Sequence, residues 1–136
     1  MKKILTTAYT DTGFNIALLL LRGVFGFTMF INHGVPKLMQ YSSRSQSFYD
    51  PFGIGSEWSL ILVLFAELFC SILLLLGLFT RLALIPLLIT MGVILFMLNK
   101  GKAFSESEMA LIYGVVYMVI MIVGPGKYSV DAEMGH

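Results

Sequence analysis

Charge is what this sequence has least of. Nine Lys and Arg and eight Asp and Glu make up 12% of 136 residues, about half the ~25% usual for a soluble domain. Cysteine is nearly absent. Cys70 is the only one, which excludes an internal disulfide, a CxxC redox pair and a thiolate metal site. Histidine is as scarce, with His33 and the terminal His136, too few for a metal constellation, so no metal is expected. A net charge of +1 gives no electrostatic case for nucleic acid as a partner. What fills the space is apolar: 57% of residues are hydrophobic and mean hydropathy is +0.86. That excludes a disordered chain. It also argues against a soluble globule, since a chain this short buries too little to hide so much apolar surface.

The gaps between charges place the chain in a bilayer. Leu82–Asn99 and Met109–Gly126 each run 18 residues without a charge. Thr12–Pro36 contains only Arg22, and Trp58–Thr80 only Glu67. A hydrocarbon core of ~30 Å needs about 20 helical residues, and lipid leaves no water to satisfy the backbone of anything but a helix or a closed barrel. Runs such as Leu18–Leu21 and Leu73–Leu76 do not alternate as barrel strands must. The expected fold is all-α: one integral membrane domain, an antiparallel four-helix bundle in the lipid bilayer. Its spans are expected at about 14–32, 59–79, 82–98 and 108–123. Residues 33–57 are expected to form a long interfacial loop, its Tyr41, Phe48, Tyr49 and Phe52 lying on the membrane or covering the bundle as a lid. Ser105 and Glu108 fit a capping box for the fourth helix, and Gly124, Pro125 and Gly126 end it. Gly77 to Arg81 allows only a tight turn. Lys2-Lys3 followed by a run broken at Arg22 does not read as a cleavable signal. Orientation is a tie, with Lys2, Lys3, Arg81 and Lys127 on one side and Lys37, Arg44, Lys100 and Lys102 on the other. The closeness of Lys2, Lys3 and Arg81 to span ends tilts it toward cytoplasmic termini.

Arg22 and Glu67 carry the chemistry. An ionisable group at mid-bilayer costs ~2.5–3.5 kcal/mol on insertion scales and marks function or a partner. Arg22 lies about 12 Å, and Glu67 about 18 Å, from the same side at 1.5 Å per residue, so the two are expected to pair. The pair reads either as a staple fixing helix register or as a binding or proton-handling site. Arg22, Gly26, Met29 and His33 form one helical stripe that Lys37 continues, and Gly26 is small enough for a close neighbour. Glu67 and Ser71, and Tyr113 and Tyr117, are each one turn apart. Together Arg22, His33, Lys37, Glu67, Ser71, Tyr113 and Tyr117 could line a polar cavity open toward the long loop. The nine methionines are scattered and read as packing fillers, and Cys70 as inert.

These residues resemble a family. Arg22-Gly23-x-x-Gly26-x-x-x-Phe30-x-x-His33-Gly34-x-x-Lys37-Leu38 is similar to the first-helix signature of the DoxX family. Ala66-Glu67-Leu68, Gly77-Leu78-Phe79-Thr80-Arg81 and Gly124-Pro125-Gly126-Lys127-Tyr128-Ser129-Val130-Asp131 match its second helix, its turn and its C-terminal signature in order. The resemblance implies a four-helix, multi-pass protein of the bacterial inner membrane. It also implies a role in quinone-linked sulfur oxidation, in thiol and oxidative-stress handling, or in maturation of secreted redox enzymes. Arg22, His33, Lys37, Glu67 and Arg81 are the positions it carries over. The leading expectation is a membrane subunit that binds a quinone or another amphipathic ligand near Arg22, Glu67 and His33, its tail among helices one, two and four. No cofactor is expected to be covalently bound, and electrons would come from a redox partner protein. The alternatives are a non-enzymatic scaffold or assembly factor, and a small transporter or lipid-handling protein working as a homo-oligomer.

Overall fold

The computed structural model describes residues 2–135, and the side chains of all of these except Lys2, Lys3 and Glu106. His136, weighed above as a ligand, lies outside them, as do the Lys2 and Lys3 side chains weighed for orientation. Four long helices make the molecule: α1 Asp11–Met39, α2 Ser56–Leu76, α3 Thr80–Leu98 and α4 Phe104–Val123. The first three are long and apolar enough to cross a membrane. The 20 residues of α4 reach about 30 Å at 1.5 Å each. No strand occurs among the described residues. The fold is therefore the all-α membrane bundle that the charge pattern implies.

Neighbouring helices run antiparallel, as the contacts across each seam show. Gly26 and Gly34 of α1 meet Ser71 and Glu67 of α2. Thr28 and Phe25 meet Tyr113 and Tyr117 of α4. Met91 and Arg81 of α3 meet Gly114 and Met121 of α4. The core between them is apolar, built on Leu60, Leu74, Leu84, Leu87, Tyr117 and Ile120. Outward-facing Leu20, Phe27, Leu82 and Ile122 are well exposed, the inside-out surface that lipid allows.

Helix ends explain the differences from the expected spans. α1 starts three residues early because Thr10 caps it, its side chain accepting from Gly13 N at 2.9 Å, and Asp11 sits in the first turn. It runs on past Asn32 because a π turn at Phe30–Gly34 shifts the bonding to Val35 N→Phe30 O. Pro36 follows directly, where its missing N–H is absorbed and the helix resumes to Met39. The interfacial loop is correspondingly shorter than expected, with a helical turn at Tyr41–Arg44. Likewise α4 begins at Phe104 without a side-chain cap, so Ser105 and Glu108 lie inside it and do not form the capping box expected at its start.

Candidate functional site at the loop end of the bundle

The expected Arg22–Glu67 pair does not form. Gly34 lies against the carbonyl of Glu67, so Glu67 is level with a residue about twelve positions, or roughly 18 Å, beyond Arg22. Direction adds to distance. Side chains on a helix lean toward its N-terminus, so Arg22 leans away from Glu67 and Lys37 leans toward it. The two ions belong to two separate constructions.

Arg22 is fully buried and its guanidinium is spent on backbone. Nε donates to Pro125 O at 2.9 Å, Nη1 to Leu75 O at 3.2 Å and Leu74 O at 3.4 Å, and Nη2 to Tyr128 O. Leu74 and Leu75 are in the last turn of α2, where carbonyls lack the full helical set of donors and carry the negative end of the helix dipole; Leu74 O accepts in addition from Gly77 N, at 3.1 Å. Asp131 does the reciprocal work for α3, accepting from Phe79 N at 2.7 Å and Thr80 N at 2.9 Å, while its own N–H donates to Gly77 O at 2.8 Å. Gly77 is left-handed at φ 73, and a Cβ there would fall 2.6 Å from Arg22 Nη1; glycine is therefore required on both counts. Arg81 closes the third end, donating from Nε to Met121 O at 2.9 Å and from Nη2 to Ile122 O at 3.3 Å, with Gly124 packed on it. The segment Gly124–Asp131 is thus a clamp that joins the termini of α2, α3 and α4 through Arg22, Arg81 and Asp131. Sequence reading singled out Arg22 for its charge but had no signal for its partners, which are carbonyls.

The second construction is the candidate site. Lys37 Nζ lies 2.9 Å from Glu67 Oε1, with side-chain exposures of 19% and 1%. The approach is close but off-axis, so Oε1 has a charge partner and no aligned hydrogen bond. Lys37 Nζ also reaches His33 O at 3.4 Å, and Arg44 adds positive charge within range of the same carboxylate. Beside the pair is a cavity of about 130 Å³ lined by Met29, His33 and Lys37 of α1, Glu67 of α2, Met91 and Ile94 of α3, and Met109, Ala110 and Tyr113 of α4. Tyr113 stands edge-on to His33, with ring centres 5.5 Å apart, and its hydroxyl donates to Thr28 Oγ1 at 2.7 Å.

The backbone around this cavity is irregular in a consistent way. Among the described residues three π turns occur, at Phe30–Gly34, Phe65–Cys70 and Ile94–Leu98, and each supplies a lining residue: His33, Glu67 and Ile94. A π turn is rare and tends to accompany functional sites; each extra residue re-aims the side chains near it.

Of the expected site residues, His33, Lys37, Glu67 and Tyr113 come together here. Arg22 is in the clamp. Ser71 is buried one turn below Glu67 and donates to Glu67 O at 2.6 Å. Tyr117 is buried beneath Tyr113 and donates to Phe25 O at 3.2 Å. Neither Ser71 nor Tyr117 borders the cavity. Residues 40–55 do not line it either. The lining by Met29, Met91 and Met109 was not anticipated; only Met29, on the stripe with His33, was within reach of periodicity.

The DoxX family model matches residues 17–100. A protein of Haemophilus influenzae described as uncharacterized is 32% identical over 110 residues, covering 76% of this chain and 80% of that one. No solved structure matches.

Proposed function

The chain belongs to the DoxX family, and on that premise we propose that it binds the polar head of a membrane amphiphile, a quinone foremost, against His33, Lys37 and Glu67. One contrast carries this reading. The Arg22 guanidinium is closed in by carbonyls, as a staple should be, whereas the Lys37–Glu67 pair borders open volume. A staple gains nothing from a cavity beside it; a binding site requires one.

The cavity limits what enters. At about 30 Å³ per water, 130 Å³ admits about four waters or one edge of a ring, and falls short of the ~300–1,000 Å³ of pockets that enclose a whole ligand. One carbonyl edge of a quinone fits such a space. The Lys37 ammonium would donate to that oxygen, and the His33 ring, one turn away on the same helix, would donate a second bond. Glu67 would accept from the hydroxyl of the reduced form and hold or return its proton. A bound quinone supplies two-electron, two-proton chemistry, with electrons drawn from a redox partner protein. The accompanying setting is the bacterial inner membrane with both termini in the cytoplasm.

The test is extraction of the protein purified in native-lipid discs, with mass spectrometry of the extract, followed by titration of a decyl-benzoquinone. The expected result is stoichiometric quinone and a dissociation constant raised at least tenfold in Lys37→Met. Absence of quinone, with no saturable titration, would overturn the proposal.

A further inference from the structure

A second space adjoins the cavity. On the lipid side of α4, an open groove of about 520 Å³ is lined by Ser105, Glu108, Met109, Ile112 and Tyr113. Met109 and Tyr113 also line the inner cavity, so the two spaces share a wall. The groove lies along the apolar run of α4, and Met109 and Ile112 are 54% and 45% exposed. Over Met109, Ile112 and Tyr113 its occupant must therefore be apolar. Toward the start of α4 the lining turns polar at Ser105 and Glu108, as expected where a span leaves the hydrocarbon.

We infer that this groove holds the apolar tail of the same amphiphile whose head the inner cavity takes, and that the ligand enters sideways from the bilayer over the face of α4 that carries Met109 and Tyr113. The inference rests on the proposed head site and adds the ligand class: a head with one long apolar chain. Size supports it, because the inner cavity excludes the rest of any such molecule while the adjoining groove is about four times larger. Tyr113 is the positioning residue between the two. Its ring is 7% exposed, stands edge-on to Phe25 at 5.3 Å and to His33 at 5.5 Å, and is tethered through its hydroxyl to Thr28. The ring sets where head ends and tail begins.

The experiment compares two probes, a benzoquinone with a decyl chain and the same ring without one, titrated against the whole protein in lipid discs. Ile112→Trp fills the groove, and Val115→Trp places the same bulk on an exposed position of α4 outside it. The expected result is that Ile112→Trp weakens the decyl probe at least tenfold and leaves the chainless ring unchanged, while Val115→Trp affects neither. A photoreactive group at the chain end should then label Ile112, which lines the groove and not the inner cavity. If both rings bind wild type and Ile112→Trp weakens neither, the tail site is wrong and the head site stands. If phospholipid displaces the photoreactive chain as readily in wild type as in Glu67→Gln, the groove holds ordinary lipid and the inference falls. If neither ring binds wild type, the head site and the inference fall together.

Discussion

Lys37 and Glu67 are unequal partners, and the inequality is measurable. Glu67 is 1% exposed and Lys37 19%. Removing Lys37 strands a carboxylate in the interior, where breaking a buried pair costs about 3–5 kcal/mol. Removing Glu67 leaves a long side chain that can extend to the interface, so the loss is closer to the ~1 kcal/mol of an exposed pair. Lys37→Met is therefore expected to lower the melting temperature in lipid discs by more than Glu67→Gln, and the double variant to recover toward Glu67→Gln. The reverse order would mean that Lys37 is the stranded charge. Glu67 was legible as the lone charge of an apolar run, and Lys37 only as the continuation of the His33 stripe into a segment expected to be loop. Their pairing was not, because two helix positions come level only through packing, here through Gly34 against Glu67.

Element by element, what governs the site is where helices end and where they bulge. Periodicity in the sequence announces helices but is blind to a π turn, which shifts the hydrogen bonding by one residue without changing composition. The three turns at Phe30–Gly34, Phe65–Cys70 and Ile94–Leu98 were invisible for that reason. The start of α2 depends on one carboxylate. Asp50 accepts from Gly55 N at 2.8 Å, Ile54 N at 3.1 Å and Ser59 Oγ at 2.9 Å. The bond from Gly55 N, foremost, holds its carboxyl below the usual carboxylate range. A depressed value means the ion is favoured by folding, so its contribution is present above the unfolded pKa of about 3.9 and is lost as pH falls through the folded value. The turn is expected to stay closed from pH 5 to 8 and to open only below about pH 4. Amide exchange at Ile54 and Gly55, corrected for intrinsic rates, should accelerate in that lower window. In Asp50→Asn it should already be fast at pH 7.

For the molecule as a whole, close approach of α1 and α2 sets the geometry of both constructions. A Cβ at Gly34 would lie 2.9 Å from Glu67 O and 2.6 Å from Leu68 Cδ2. Gly34→Ala must push α2 away at the level of Glu67, at about 1–3 kcal/mol for overpacking. Gly92 in α3 has nothing within 4 Å of the same added atom, and a helical Gly→Ala change there stabilises by about 0.5–1 kcal/mol. The expected outcome is a lower melting temperature and weaker quinone binding for Gly34→Ala, against an unchanged or raised melting temperature for Gly92→Ala. Equal behaviour of the two variants would show that the helices are not held at this distance by glycine.

The amino-acid sequence by itself determined that the chain is a membrane protein built of apolar helices and which two ions lie within its apolar runs, because lipid penalises charge and unsatisfied backbone so heavily that their placement along the chain is nearly forced. Tertiary structure alone decided what each ion does. Arg22 and Glu67 are both lone charges in apolar runs, yet one is closed off by the carbonyls of Leu74, Leu75, Pro125 and Tyr128 and the other faces a cation across the edge of a cavity. Carbonyl partners carry no sequence signature, and the level at which two helices meet is set by side-chain volume across their whole length. A charge's position in the chain therefore says that it needs a partner, and only the packed bundle says which.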